Sequence, residues 1–243
     1  MIEAIIFDKD GTLLDFDAFW VKVSVHAISD IKKRFGREDI KTEEFLAALG
    51  VKNGTTDIDS ILCKGTYEEM GEVVHKVFVS HGCDLTLEEV TEAVITDYKK
   101  NADKGDIKPT CDGQKAMLEK LKMQGKRLLV ITTDKREVAE KSLSGLGIRE
   151  YFEQLYTGDG DIPPKPDPAS AFDFCKATGI RPDNILMVGD TLVDMEFAKN
   201  AGLHSVGVGS CEENRKILKN HADYIIPDLN CIFEVLDKIE HDV

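Results

Sequence analysis

A doubly wound α/β fold with a parallel sheet and a helical insert is predicted for this 243-residue chain by three observations. Short apolar runs alternate with helical patterns of ten or more residues, the arrangement that builds βαβ units. The runs are apolar throughout and do not alternate with polar residues, as in strands covered on both faces. From about Phe16 to Asn101 this alternation stops, and only helix-period patterns remain.

The first run, Glu3-Ala-Ile-Ile-Phe7, ends abruptly in Asp8 and reads as a buried strand. In the insert that follows, Phe19, Trp20, Val23, Ala27 and Ile31 recur at helical spacing, as do Phe45, Leu46 and Leu49, and both sets are expected to form core. Thr66-Tyr-Glu-Glu69 and Thr86-Leu-Glu-Glu89 are capping boxes, each marking a helix start. Val51-Lys-Asn-Gly-Thr-Thr56 is a turn-rich break between these helices. After the insert, strands are expected over 127–132, 154–156, 184–188, 204–208 and 223–226. Helices are expected over 113–124, 136–146, 168–178 and 192–201. The division expected is a core of residues 1–15 and 105–243 and an insert of 16–104, with no internal repeat.

Charge narrows the partners. With 31 basic residues against 45 acidic, the formal net charge is −14, which argues against nucleic acid or an anionic membrane as a partner held by bulk charge. The longest apolar runs are too short to span a bilayer, and the N-terminal stretch lacks the basic region and cleavage site of a signal peptide. The six cysteines form no C-x-x-C pair. Scattered thiols of this kind fit a reducing compartment, so a cytoplasmic location is expected.

Chemistry concentrates at the ends of the strands, where open α/β sheets bind ligands. Asp8-Lys-Asp-Gly-Thr12 follows the first strand directly. Two carboxylates at i and i+2 can divide the tasks of nucleophile or metal ligand and proton carrier. Gly11 allows a sharp turn and backbone N–H groups facing an anion. Thr132 and Thr133 end the second strong strand with hydroxyls able to hold a phosphoryl oxygen, or merely to cap the strand. Lys165 lies among four of the seven prolines, at 163, 164, 166 and 168, a stiff setting for a charge able to neutralise a phosphoryl group or a carboxylate nucleophile. Gly189-Asp190-Thr-Leu-Val-Asp194 adds two carboxylates four residues apart at another strand end. Four acids converging on one sheet edge call for a divalent cation, and hard oxygen ligands suit Mg²⁺.

Taken in order, Asp8-x-Asp10, Thr132, Lys165 and Gly189-Asp190-x-x-x-Asp194 resemble the four motifs of the haloacid dehalogenase-like superfamily, and the insert resembles its C1 helical cap. The stretches Thr132-Thr-Asp-Lys, Leu146-Gly-Ile, Tyr151-Phe and Gly158-Asp-Gly to Lys165-Pro-Asp-Pro168 are similar to phosphoglycolate phosphatases. The resemblance implies a Rossmann-like core with a cap domain. It also implies a Mg²⁺-dependent phosphomonoesterase that hydrolyses a small phosphorylated metabolite through an aspartyl-phosphate. Asp8 would be the nucleophile and Asp10 the acid and base. Thr132 would hold the phosphoryl group, and Lys165 would steady it together with Asp8. The metal would sit on Asp8, the Asp10 carbonyl and Asp190, with Asp194 acting through a water or orienting Lys165. Two positions depart from the pattern: Lys9, where an apolar residue is commoner, and Thr133, where Asn is. A phosphomutase of the same fold is the alternative, and a phospho-accepting regulatory protein a more distant one. Specificity is expected from the insert, with Lys64, before Gly65 and a helix start, reading an acidic or polar group of the ester. The partner is then a small phosphate ester, and the protein a monomer or homodimer.

Overall fold

Strand β1, Ala4–Phe7, is buried at all four residues and supplies the centre of a six-stranded sheet. The computed structural model describes residues 1–57 and 59–241. It divides into two compact units, Met1–Asp15 with Ile107–Val243, and Phe16–Asp106. Among the described residues no helix is long and apolar enough to cross a membrane.

The Phe16–Asp106 unit is helical. A π-helical turn, Asp17–Val21, runs into α1, Lys22–Arg34, followed by α2, Thr42–Ala48. Two-residue strands β2, Val51–Lys52, and β3, Thr55–Thr56, then pair antiparallel. The turn between them has positive φ at both Asn53 and Gly54, the requirement of a I′ hairpin. The sequence reading has only a turn here, because strands of two residues leave no periodicity to detect. Helices α3, Ile61–Lys64, α4, Tyr67–Ser80, and α5, Leu87–Asn101, complete the unit. Both expected capping boxes form, Thr66 with Glu69 and Thr86 with Glu89. Phe19, Val23, Ala27, Ile31, Phe45 and Leu49 are buried, whereas Trp20 and Leu46 are only half-buried. Phe78 of α4 packs on Phe45, ring centroids 5.0 Å apart.

The other unit resumes with α6, Gln114–Met123, β4, Arg127–Ile131, α7, Arg136–Gly145, and β5, Gln154–Tyr156. Next come α8, Ala169–Thr178, β6, Ile185–Gly189, α9, Leu192–Ala201, and β7, His204–Val208. Helix α10, Glu212–Leu218, strand β8, Tyr224–Ile226, and α11, Ile232–His241, close the unit. The sheet runs β5-β4-β1-β6-β7-β8 with every pairing parallel. Side chains alternate between two cores. Ile5, Phe7, Leu128, Val130, Leu186 and Val188 pack with residues of α6, α7 and α11. Ala4, Ile6, Leu129, Ile131 and Met187 pack with residues of α8 and α9 on the other face. Both faces are covered, which is why these strands read as unbroken apolar runs. The predicted doubly wound, Rossmann-like architecture is therefore present.

Strand order reverses at β1, which has β4 on one side and β6 on the other. Phe7 registers with Val130 and with Val188, so the residues after all three strands leave the sheet side by side. That switch point is where open α/β sheets place ligands.

Candidate active site

Asp8 leaves β1 with its N–H bonded to the Val188 carbonyl (2.8 Å), which fixes its backbone against β6. The chain then turns tightly. The Lys9 carbonyl accepts the N–H groups of both Leu13 and Leu14 at 2.8 Å. Gly11, at φ +79°, sits where any Cβ would overlap the Asp190 carboxylate. Its N–H donates to the Leu14 carbonyl at 2.8 Å. The turn itself uses that donor, and the glycine leaves room for Asp190. Thr12, overlooked in the sequence, donates its hydroxyl to Asp190 Oδ1 at 2.8 Å.

Lys165 is buried and bridges two carboxylates, Nζ lying 2.5 Å from Asp8 Oδ1 and 2.6 Å from Asp194 Oδ1. The proline-rich loop that carries it is pinned to α9 by Asn200 Nδ2, which donates to the Pro166 carbonyl (3.0 Å). Asp194 belongs to the capping box of α9, so its Oδ2 accepts from the N–H (3.1 Å) and hydroxyl (2.7 Å) of Thr191. Helix start and lysine thus share one carboxylate, and of the two expectations for Asp194 the geometry favours orienting Lys165.

Thr132 is buried at the end of β4, its N–H on the Tyr156 carbonyl (3.0 Å) and its hydroxyl accepting the Asp134 N–H (3.2 Å). Thr133 is exposed. Lys9, where an apolar residue is commoner, is completely buried; its Nζ lies 2.6 Å from Asp10 Oδ1 and 3.0 Å from Asp134 Oδ2. Lys64 belongs to the other unit, as the last residue of α3, ion-paired with Asp59. The helix start beside it is already capped by Glu69, whose carboxylate accepts the Thr66 N–H at 2.8 Å.

Burial raises the acids, and their mutual repulsion adds to it. Burial pushes Asp8 up to about 7; Lys165 opposes the shift, while Asp194 and Asp10 add to it. Asp190 is held well above the usual carboxylate range by burial and then by Asp8 and Asp194. Burial likewise pushes Asp134 up to about 6, with Asp10 adding and Lys9 opposing. Burial alone would lower both lysines, but each is raised above its ordinary value, Lys165 by Asp194 and Asp8, and Lys9 by Asp10 and Asp134.

Asp8, Asp190 and Asp194 each offer an oxygen, all within 4.8 Å of one another. An all-carboxylate donor set with suppressed ionisation fits a small hard cation, which would relieve the repulsion the acids impose on one another.

The chain is 25% identical over 238 residues to the pyrophosphatase PpaX of Bacillus velezensis, covering 96% of each protein. It is 29% identical over 211 residues to the phosphoglycolate phosphatase of Neisseria gonorrhoeae, covering 85% of this chain and 80% of that one. A crystal structure described as a predicted phosphoglycolate phosphatase from Haemophilus somnus 129pt superposes with a TM-score of 0.72 at 22% identity, over 97% of this chain and 98% of the other. The profile of the haloacid dehalogenase-like hydrolases matches residues 2–202, which run from β1 through Asp194 to the end of α9, and the chain belongs to that family.

Proposed function

We propose that the protein is a Mg²⁺-dependent phosphatase that hydrolyses a small phosphate ester through an aspartyl-phosphate on Asp8. The carrying observation is the buried bridge of Lys165 to Asp8 at 2.5 Å and to Asp194 at 2.6 Å, beside Asp10 on the same turn. Lys165 opposes the protonation that burial favours on Asp8 and aims one carboxylate oxygen. Asp8 would attack phosphorus and displace the alcohol oxygen, with Asp10 delivering a proton to that oxygen and then taking one from the water that hydrolyses the acyl phosphate. One acid–base group can serve both displacements because the second is the chemical reverse of the first. The Thr132 hydroxyl and the Lys165 ammonium would hold the phosphoryl oxygens, whose spread charge calls for positioning and cations. The cation would be held by Asp8, Asp190 and the Asp10 carbonyl, and it supplies charge that offsets the phosphoryl and carboxylate oxygens.

Release of inorganic phosphate from a panel of phosphorylated metabolites tests the reading directly. Phosphoglycolate and pyrophosphate belong in the panel because two of the relatives bear those names. A mutase would instead return an isomeric ester without free phosphate.

Metal dependence gives a second expected outcome. Activity on an aryl phosphate disappears with excess chelator, returns with Mg²⁺ and returns poorly with Ca²⁺, which takes more ligands in looser geometry. Binding to the native state at a hundredfold excess over Kd contributes about 2.7 kcal/mol. At about 2–4 °C per kcal/mol for a chain of this size, that is a Tm rise of roughly 5–10 °C. In Asp190→Asn the rise vanishes, while the metal-free protein is at least as stable as the wild type, because a repelled buried carboxylate is gone and the amide oxygen still accepts from Thr12. Undiminished turnover in chelator would remove the metal from the mechanism.

Substrate choice by Lys64 is a separate proposal, in which a second acidic or polar group of the ester takes the place of its ion-pair partner Asp59. Lys64→Ala should lower kcat/KM for such a substrate by roughly tenfold, the scale of a charge-assisted hydrogen bond. An aryl phosphate without that group should be hydrolysed as before; equal losses on both would move the specificity role elsewhere.

A further inference from the structure

Two lysines bridge two pairs of acids at this sheet edge, and only one of them belongs to the mechanism above. Lys9 sits between Asp8 and Asp10 in sequence, and its side chain has 0% of its surface exposed. Its ammonium touches Asp10 Oδ1 at 2.6 Å and Asp134 Oδ2 at 3.0 Å. Asp134 is itself fixed, because its N–H donates to Thr132 Oγ1 at the end of β4.

We propose that Lys9 and Asp134 are positioning residues for Asp10, a buried clamp that fixes the carboxyl group of the acid–base residue. The inference rests on the phosphatase reading and adds to it residues that the hydrolysis steps do not use. Burying an ammonium between two half-buried carboxylates is seldom the most stable way to fill such a space, since apolar replacements of similar volume are often as good or better. Stability is therefore a poor reason for this arrangement, and geometry a better one. Asp10 has to meet a leaving oxygen in one step and a water in the next, and a carboxyl free to rotate would spend time misaligned for both. A charge-assisted bond to one oxygen restricts that rotation. The clamp repeats the logic of the neighbouring pair, where Lys165 is held by Asp194 and holds Asp8. It also ties the turn after β1 to the turn after β4, the two strands whose register brings residues 9 and 134 together.

The test is a double-mutant cycle on the full-length protein with Mg²⁺, using an aryl phosphate and an alkyl phosphate. Asp134→Ala should lower kcat on the alkyl ester by roughly tenfold to a hundredfold, the cost of a slightly misplaced group, with KM within about twofold. With the aryl ester, whose leaving group needs little proton donation, phenol release in the first turnover should slow far less, while hydrolysis of the phosphoenzyme slows with either ester. Asp134→Asn keeps an acceptor for Lys9 and should recover part of the loss. In an Asp10→Asn background Asp134→Ala should cost nothing more, because the group it positions is already gone. Should Asp134→Ala fail to fold, the pair Lys9→Met with Asp134→Leu removes both charges together and takes its place in the cycle with the same expected losses. Equal losses on both esters in the first turnover, or a full additional loss in the Asp10→Asn background, overturn the clamp while leaving the phosphatase reading intact. A wild-type protein that releases phosphate from no ester overturns both.

Discussion

Asp8→Asn abolishes turnover on every phosphate ester, by at least about 10⁴-fold, the scale on which removal of a nucleophile acts in other enzymes with covalent intermediates. Loss of fold does not account for this. Burial pushes the Asp8 carboxyl up to about 7, so its ionised form is held at a cost, and an amide of the same shape removes that cost. The amide oxygen can still accept from Lys165, which sits 2.5 Å from Asp8 Oδ1. The variant should therefore melt no lower than the wild type. What it lacks is a negatively charged oxygen able to bond to phosphorus. Wild-type protein quenched in acid during turnover of a labelled substrate should carry one phosphoryl group, and Asp8→Asn none. A labelled phosphoenzyme in Asp8→Asn would place the nucleophile on another residue.

The parts of this site that were legible in the sequence are those written locally. An apolar run ending in an acid marks Asp8 and Asp190 and one ending in a hydroxyl marks Thr132, and the strand alternation alone puts those ends on one edge. Asp190 and Asp194 read as a pair because they stand four residues apart at a strand end, whereas the capping box of Thr191 with Asp194 is seen only in the fold. The pairings were not legible. Lys9 meets Asp134 only because Phe7 registers with Val130, a fact of sheet order that no local pattern encodes. For the same reason Lys9 stands out in sequence only as a departure from the motif, and its burial shows only in the fold. Thr12 was passed over although it stands inside the Asp8-to-Thr12 motif, since its partner Asp190 lies on another strand. Two helices were missed for different reasons. Helix α10 has Cys211 as its N-cap, with Sγ accepting from Asn214 N–H, a weak signal beside Ser, Thr, Asp or Asn. Helix α11 carries a clear stripe, Ile232, Val235, Leu236 and Ile239, which the periodicity could have shown.

Asp10→Asn separates the two halves of the reaction by the chemistry of the leaving group. General acid–base catalysis contributes about 10²–10⁴-fold where a proton must move in the transition state. An alkyl phosphate expels a strongly basic alkoxide, so losing the proton donor should slow its cleavage by that full range. An aryl phosphate expels a stable phenolate and should form the phosphoenzyme nearly as fast as in the wild type. Hydrolysis of the phosphoenzyme still needs a base for the attacking water, so with the aryl ester the variant should release a rapid burst of phenol and then stall with phosphate on Asp8. Lys9 reinforces the distinction, because its ammonium, 2.6 Å from Asp10 Oδ1, can still be accepted by the amide oxygen, leaving the turn and Asp8 in place. Rapid-quench measurement of phenol and phosphate in the same samples separates the two steps. A burst in the aryl reaction and none in the alkyl reaction assigns both proton transfers to Asp10. Equal slowing of both esters with no accumulated phosphoenzyme would mean that Asp10 acts on a step common to all substrates, such as holding the cation through its carbonyl, and that the proton travels by another group.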